Sequence, residues 1–212
     1  MPSKNVKKEE CIWIGIGFDI LKKSELYYDI IEVNKILVKK YGSKTDLNKN
    51  YPHLNLYDLS IPKENLKEII LKIKTILINQ KSFIIKIKKV NYFPFGIVFL
   101  EIEQNKELEK LHKKIVREVS KLNGKCIDKD YLAPHRTYTK KQKELLIRYG
   151  NPFVLDQFKP HITIGFVNNQ KDILINICRE LNTYIKSNKF QVDCIQVVSG
   201  EKHKKLNLNF KK

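Results

Sequence analysis

Two short motifs contain the residues of this chain that are best suited to chemistry. PHLNL contains His53 and Asn55, and PHITI contains His161 and Thr163. Apolar and polar residues alternate in both motifs, which predicts β-strands in which residues two apart share one face. Each strand should therefore present one imidazole and one small hydrogen-bonding side chain to the same surface.

An imidazole titrates near neutral pH, so it can remove a proton from an attacking oxygen or give one to a leaving oxygen. Two imidazoles on opposite sides of a phosphodiester can promote its in-line displacement with no metal ion and no other cofactor. We therefore predict that His53 and His161 are a catalytic pair and that the protein has no metal site. Asn55 and Thr163 are predicted to bind the phosphate, where hydrogen-bond donors stabilise the developing charge.

The two motifs stand at equivalent positions of an internal repeat. Each is followed by a predicted helix and then by two predicted strands. The first of these strands begins 30 residues after His53 and 29 residues after His161, and the second begins 43 residues after each histidine. Such constant spacing is typical of a duplicated fold, whose equivalent positions face each other across a cleft. Continued alternation would place Tyr57 and Gly165 on the histidine faces.

The remaining pattern predicts the α+β class. We expect one domain over residues 1–212, internally duplicated and two-lobed, with antiparallel sheets lining a central cleft and helices on the outside. The lobes should span about 43–124 and 150–212, and residues 10–42 should complete the fold. Strands are predicted at 11–18, 52–59, 83–90, 96–103, 160–167, 190–198 and 204–212, and helices at 24–41, 62–80, 105–123, 139–149 and 171–187.

The motif pair resembles the 2H phosphoesterases, a family that includes bacterial 2′-5′ RNA ligases and cyclic nucleotide phosphodiesterases. That family has two HxTx or HxSx strands in a duplicated α+β fold, and the resemblance rests on HLNL and HITI. Residues 149–166, YGNPFVLDQFKPHITIGF, are also similar to the approach to the second motif in bacterial members. The resemblance implies that both histidines are catalytic and that Thr163 binds phosphate. Asn55 departs from the pattern, although an amide can also donate to phosphate.

The chain is strongly basic, with 41 Lys and Arg residues against 23 Asp and Glu residues and a net charge of +18. A positive surface potential favours polyanionic partners. We expect RNA, an oligonucleotide or a cyclic nucleotide as substrate, no membrane partner and a monomeric state. Compositional bias of the source genome is an alternative explanation of the lysine content, so charge alone identifies no substrate.

The four cysteines are scattered and show no CxxC spacing, which argues against both a zinc site and a disulfide framework. A reducing cytoplasm is therefore the expected location. The charged segment 1–10 is followed by only a short apolar run, which argues against a signal peptide and a membrane span.

The leading hypothesis is a metal-independent phosphodiesterase acting on 2′-5′-linked or 2′,3′-cyclic phosphodiesters of RNA, oligonucleotides or nucleotides. One alternative is a non-catalytic RNA- or nucleotide-binding module that keeps the cleft and has lost turnover through Asn55. Another is an enzyme for small cyclic oligonucleotides in defence signalling or its suppression. The sequence leaves all three open, because substrate selectivity depends on loops.

Three further places in the chain invite a functional interpretation. His112 lies among charged residues of a predicted helix, and we expect it at the surface. Residues 134–137 repeat the PHxT pattern, but Arg136 breaks the apolar alternation and no repeat unit follows, so no third motif is predicted there. His135 or Arg136 could still reach the cleft from this loop. Trp13 is assigned to the core.

Overall fold

The computed structural model describes residues 10–47, 51–168, 171–200 and 204–210. The N-terminal segment on which the expectation of no signal peptide rests lies largely outside these residues. The described strands are β1 (Cys11–Asp19), β2 (His53–Pro62), β3 (Phe83–Tyr92), β4 (Ile97–Ile102), β5 (His161–Phe166), β6 (Lys189–Val192), β7 (Cys194–Ser199) and β8 (Lys204–Asn209). The described α-helices are α1 (Glu25–Tyr41), α2 (Leu66–Leu77), α3 (Lys106–Val119), α4 (Lys140–Tyr149) and α5 (Lys171–Asn182).

Capping residues set the ends of two helices where the sequence predicts them. The Ser24 hydroxyl accepts the N–H of Tyr27 at the start of α1, and Gly42 ends the helix in the left-handed conformation at φ 68°. Thr139 and Gln142 form a capping box at the start of α4, and Gly150 ends it at φ 72°. The predicted bounds of both helices are confirmed.

The strands form one antiparallel sheet of eight strands in the order β6-β3-β4-β5-β2-β1-β7-β8. Helix α1 packs against β5, α3 against β2 and α5 against β3. The predicted α+β class is confirmed. The two histidine strands, β2 and β5, lie side by side at the centre of this sheet.

Four of the five described strands that follow the histidine strands lie on the other histidine strand's side of the sheet, and β6 stays on the side of β5, the strand it follows. Strands β3 and β4 follow β2 in the chain but continue the sheet beyond β5, whereas β7 and β8 follow β5 and continue it beyond β1. Both predicted lobes, 43–124 and 150–212, thus contribute to one continuous sheet, and their boundaries stay a prediction.

The segment predicted as one strand over 190–198 is two strands, which corrects the prediction. Asp193 separates β6, which pairs with β3, from β7, which pairs with β1. Because β6 and β7 stand near opposite ends of the strand order, the sheet must curl until those ends approach each other. Phe83 of β3 accordingly stacks on Phe210, which follows β8, with 6.2 Å between ring centroids.

A disulfide joins Cys11, at the start of β1, to Cys126, in the segment after α3, across 115 residues of sequence. The expectation of no disulfide is therefore wrong, because spacing along the chain does not show which cysteines the fold brings together. Cys178 and Cys194 are free.

Two other expectations concern segments away from the sheet centre. Residues 134–137 are exposed and form a turn rather than a strand, as predicted. No helix in the described part of the chain is long and apolar enough to cross a membrane.

Reduction of the Cys11–Cys126 bond should lower the free energy of unfolding by about 3 kcal/mol, since the bond restricts a long loop of the unfolded chain. The oxidised protein should present two reactive thiols after unfolding without reductant, and four after reduction. Melting temperatures with and without dithiothreitol measure the effect. Cys11→Ser should abolish the reductant dependence, whereas Cys194→Ser should preserve it; an equal response of both variants would contradict the pairing.

Candidate active site

Strands β2 and β5 place the four predicted site residues on one face of the sheet. Leu54 stands opposite Ile162, and both side chains are fully buried in the core. The antiparallel register puts His53 and Thr163 on one side of this pair, and Asn55 and His161 on the other. The four polar side chains therefore share the face opposite to the core, and the two histidines are diagonal neighbours, with about 7–8 Å between such positions.

Both imidazoles are oriented by the same backbone contact. His53 Nδ1 lies 3.0 Å from the carbonyl oxygen of Tyr51, and His161 Nδ1 lies 2.7 Å from that of Lys159. A carbonyl oxygen only accepts hydrogen bonds, so Nδ1 must carry the proton in each ring. The Nε2 atom of each neutral ring is then the basic nitrogen, and it has no protein partner among the described residues.

The surroundings of the two rings differ. His161 is packed against the rings of Phe93 and Phe99, each 5.2 Å away between centroids. Burial lowers the pKa of His161, the bond to the Lys159 carbonyl opposes this effect, and the charge of nearby His53 lowers the pKa further. His53 is exposed. The lowered pKa holds His161 toward the neutral form.

The two phosphate-binding candidates are also held differently. Asn55 Nδ2 donates to Asp58 Oδ1 at 2.7 Å, which leaves its second amide hydrogen to face a ligand. Asp58 also accepts from Tyr131 Oη at 2.7 Å and from Asn151 Nδ2 at 3.1 Å. Burial raises the pKa of Asp58, while the bonds from Tyr131 and Asn55 oppose that rise. The Thr163 hydroxyl has no protein partner among the described residues.

A β-bulge interrupts each histidine strand three residues after its histidine. The register of β1 with β2 skips Leu56, and the register of β4 with β5 skips Ile164. Alternation reverses beyond each bulge. Tyr57 is therefore buried, and a Cβ atom on Gly165 would lie 2.7 Å from Leu37 Cδ1 of α1. The expectation that Tyr57 and Gly165 share the histidine faces is wrong.

His112 contacts β2 and the segment that leads into β5, and its predicted surface position is wrong. The residue is 0% exposed, and its Nδ1 donates to the carbonyl of Leu56 at 2.8 Å. Its Nε2 accepts the N–H of Leu155 at 2.9 Å, and its ring stacks on Phe158 at 3.8 Å. Helical periodicity could have predicted its burial, because His112 is four residues after Leu108 and therefore lies on the same buried face of the helix.

Asn34 of α1 makes the corresponding contacts to β5, and sequence reasoning did not identify it. The residue is 1% exposed, and its Nδ2 donates to the carbonyls of Ile164 and Thr45, both at 2.9 Å. Its Oδ1 accepts the N–H of Leu47 at 3.2 Å. Asn34 could have been identified as a polar residue on the apolar face of a predicted helix, because such a residue needs a buried hydrogen-bond partner.

A cavity of about 350 Å³ opens beside His53, and its walls include Trp13, Tyr51 and Asn55. Trp13 is 37% exposed, so its assignment to the core is wrong. Its indole covers Gly15, where an added Cβ would lie 2.7 Å from the ring. Two lysine ammonium groups lie 4.3 and 4.7 Å from the centroid of the Tyr51 ring. The cavity thus combines an aromatic wall with a cationic rim.

No cluster of three or more His, Cys, Asp or Glu side chains suited to a metal ion occurs in the described ranges. His135 and Arg136 are exposed in their turn. A role for these two residues in the cleft stays a prediction.

The family model described as the 2′-5′ RNA ligase superfamily matches residues 31–204. Comparison with curated protein sequences finds no match. Among solved structures, Escherichia coli LigT is 14% identical, with 95% of this chain and 96% of LigT covered and a TM-score of 0.57.

Two further structures share the fold. TT0787 of Thermus thermophilus is 14% identical, with 94% of this chain and 100% of that chain covered and a TM-score of 0.58. Kluyveromyces marxianus Usb1 is 11% identical, with 95% and 99% covered and a TM-score of 0.50. At these identities the likeness concerns the fold.

Protonation of His112 should destabilise the protein. Burial lowers its pKa from 6.5 to about 4, so below pH 6.5 the unfolded chain takes up a proton that the folded chain refuses. Stability should be intact above that pH and fall by about 3 kcal/mol between pH 6.5 and 4. Urea denaturation at several pH values measures this loss, and His112→Gln should show a correspondingly shallower pH dependence. Parallel curves for the two proteins would contradict it.

Proposed function

The chain belongs to the 2′-5′ RNA ligase superfamily of 2H phosphoesterases, and from this membership we propose that it is a metal-independent phosphodiesterase. Its proposed substrates are 2′-5′-linked or 2′,3′-cyclic phosphodiesters of RNA, oligonucleotides or nucleotides. One observation carries the proposal: two imidazoles on adjacent strands share a face, and each has its Nδ1 proton committed to a carbonyl. Both Nε2 atoms are thereby prepared for proton transfer.

The different surroundings of the rings suggest which is the base. His161 is held toward the neutral form by burial against Phe93 and Phe99, so in hydrolysis its Nε2 accepts a proton from the attacking water. A bond forms between the water oxygen and phosphorus while the bond to the leaving ribose oxygen breaks. His53, which is open to solvent, donates a proton to that oxygen from Nε2.

Asn55 and Thr163 are the proposed donors to the non-bridging phosphate oxygens. They lie next to the opposing histidine across the register of β2 and β5. Asp58 fixes the amide of Asn55 through one hydrogen, which orients the other. A donor fixed before the reaction stabilises transition-state charge at no further ordering cost.

The cavity beside His53 suits a nucleotide. The exposed face of Trp13 offers a stacking surface for a base, and the lysines around Tyr51 favour a phosphate chain. LigT has been solved in complexes with 3′-AMP and with phosphate, which supports the same ligand class for this chain.

We also propose that the protein is a monomer and that it is located in the cytoplasm. The disulfide has to persist in that compartment, with Cys126 buried and Cys11 exposed.

His53→Ala and His161→Ala should each reduce hydrolysis of a 2′,3′-cyclic nucleotide or a 2′-5′-linked dinucleotide by about 10²–10⁴-fold. The reason is the loss of one proton-transfer partner. The measurement is product formation in the presence of chelator, with Tyr28→Ala as the control for removing an exposed ring outside the site.

Wild-type protein that leaves every such substrate intact would refute the catalytic proposal. Binding of RNA that is equal in all four proteins, without cleavage in any, would support the non-catalytic binding module. Turnover of small cyclic oligonucleotides alone would identify the signalling alternative.

The pH profile of kcat/KM should be bell-shaped, with an acid limb below pH 6.5 that reports the lowered pKa of His161. The ring resonances of His161 in NMR titrations measure that pKa directly. In His53→Gln the pKa of His161 should rise, because the neighbouring positive charge is gone. A rate that stays constant from about pH 5 to 8 would exclude paired imidazole catalysis.

A further inference from the structure

We propose that Asn34 and His112 are a matched pair of positioning residues that set the separation of His53 and His161. The inference rests on the proposed function for its kinetic test, although it makes a separate structural prediction. Neither residue lies on the face that carries the four site residues, and both act through backbone groups of the histidine strands.

The pairing of β2 with β5 is too slight to fix the two histidines by itself. Leu54 and Ile162 are the single register pair recorded between these strands over their described lengths. By contrast, β1 and β2 pair at nine positions. A relative shift of one residue would turn a histidine to the opposite face of the sheet. Other contacts must therefore hold the relative position of the two strands.

Asn34 and His112 supply these contacts in the same way. His112 joins the carbonyl of Leu56, the bulge residue of β2, to the N–H of Leu155, six residues before His161. One end of this link is in β2, and the other end is in the segment that leads into β5.

Asn34 makes the reciprocal link. It joins the carbonyl of Ile164, the bulge residue of β5, to the N–H of Leu47, six residues before His53. The two links cross, so that each strand is tied to the approach of the other. The same spacing at both ends indicates that the arrangement follows the internal duplication.

The chosen backbone groups are those that need a partner. A bulge leaves its residue outside the regular hydrogen-bond ladder, and a buried carbonyl without a partner is costly. Leu56 and Ile164 are bulge residues, and each lies three residues after its histidine. A partner for the bulge carbonyl thus also fixes the place where alternation reverses, and with it the face on which the histidine stands.

The backbone of the segment that precedes His161 also indicates that its position is held by surrounding contacts. Leu155 has a φ of 57°, in the left-handed region that leucine rarely adopts. His112 accepts the N–H of this same residue, and its ring stacks on Phe158, three residues before His161. A strained residue persists only where its surroundings over-determine its conformation.

The test compares variants that remove the links with variants that remove only packing. Asn34→Leu and His112→Leu abolish the hydrogen bonds at similar side-chain volume. Ile30→Ala and Ile115→Ala are the matched controls, because both isoleucines are fully buried on the same two helices. For a 2′,3′-cyclic nucleotide, the link variants should lose about 10–100-fold in kcat with KM nearly unchanged.

The controls should keep their kcat at an equal or larger loss of melting temperature. His112→Gln retains an amide donor and acceptor and should recover most of the rate. If a leucine variant does not fold, Asn34→Asp replaces it, since this carboxylate keeps the acceptor for Leu47 and loses the donor for Ile164. Losses of kcat that simply follow melting temperature across link variants and controls would overturn the proposal.

A measurement without substrate separates this inference from the proposed function. In an otherwise wild-type chain, His53→Gln should raise the pKa of His161 in an NMR titration. In the Asn34→Leu or His112→Leu background this shift should shrink, because the rings no longer hold their separation. An undiminished shift would overturn the positioning role even if the enzyme is active, and a diminished shift would uphold it even if no substrate is cleaved.

Discussion

The histidine strands β2 and β5 meet at the single register pair Leu54 and Ile162, and the rest of the central structure has to keep them there. Their outer edges are well supported, since β1 and β4 pair with them over most of their length. The boundary with the fewest pairing contacts in the centre of the sheet is therefore the one between the two strands of the candidate site. Helix α1 packs against β5 and helix α3 against β2 from the core side, where a hydrogen bond is protected from water and an unsatisfied polar group is costly.

A nearly symmetric framework carries an asymmetric pair of imidazoles. Both rings are oriented by the carbonyl two residues earlier, so the fold gives them the same tautomer. Their environments then differ, because Phe93 and Phe99 cover His161 while His53 borders the open cavity beside Trp13. Desolvation disfavours the charged form of the covered ring. Duplication thus supplies the geometry, and local packing would separate the proposed roles of acid and base.

Sequence patterns predicted the elements whose signals are local. The ends of α1 and α4 follow from capping residues, and the two histidine strands follow from alternation. The residues on each face of the two histidine strands were predicted correctly only up to the bulges. A bulge depends on the partner strand, and the alternation of apolar and polar residues does not reveal it. Tyr57 and Gly165 were misplaced for that reason. The disulfide and the division at Asp193 depend on long-range pairing, which local patterns do not contain.

The exchange of strands between the two halves of the sheet makes the site a property of the whole chain. The first histidine strand is flanked on its outer side by β1 and β7, whereas the second is flanked by β4 and β3, which follow the first in sequence. The Cys11–Cys126 bond ties β1 to the segment that follows α3, the helix that carries His112. The disulfide thus ties the end of this helical region to β1, and the buried imidazole ties α3 to the neighbouring strand β2. Under the proposed positioning role, loosening any of these parts would change the separation of the two histidines first, and the proposed chemistry only through that separation.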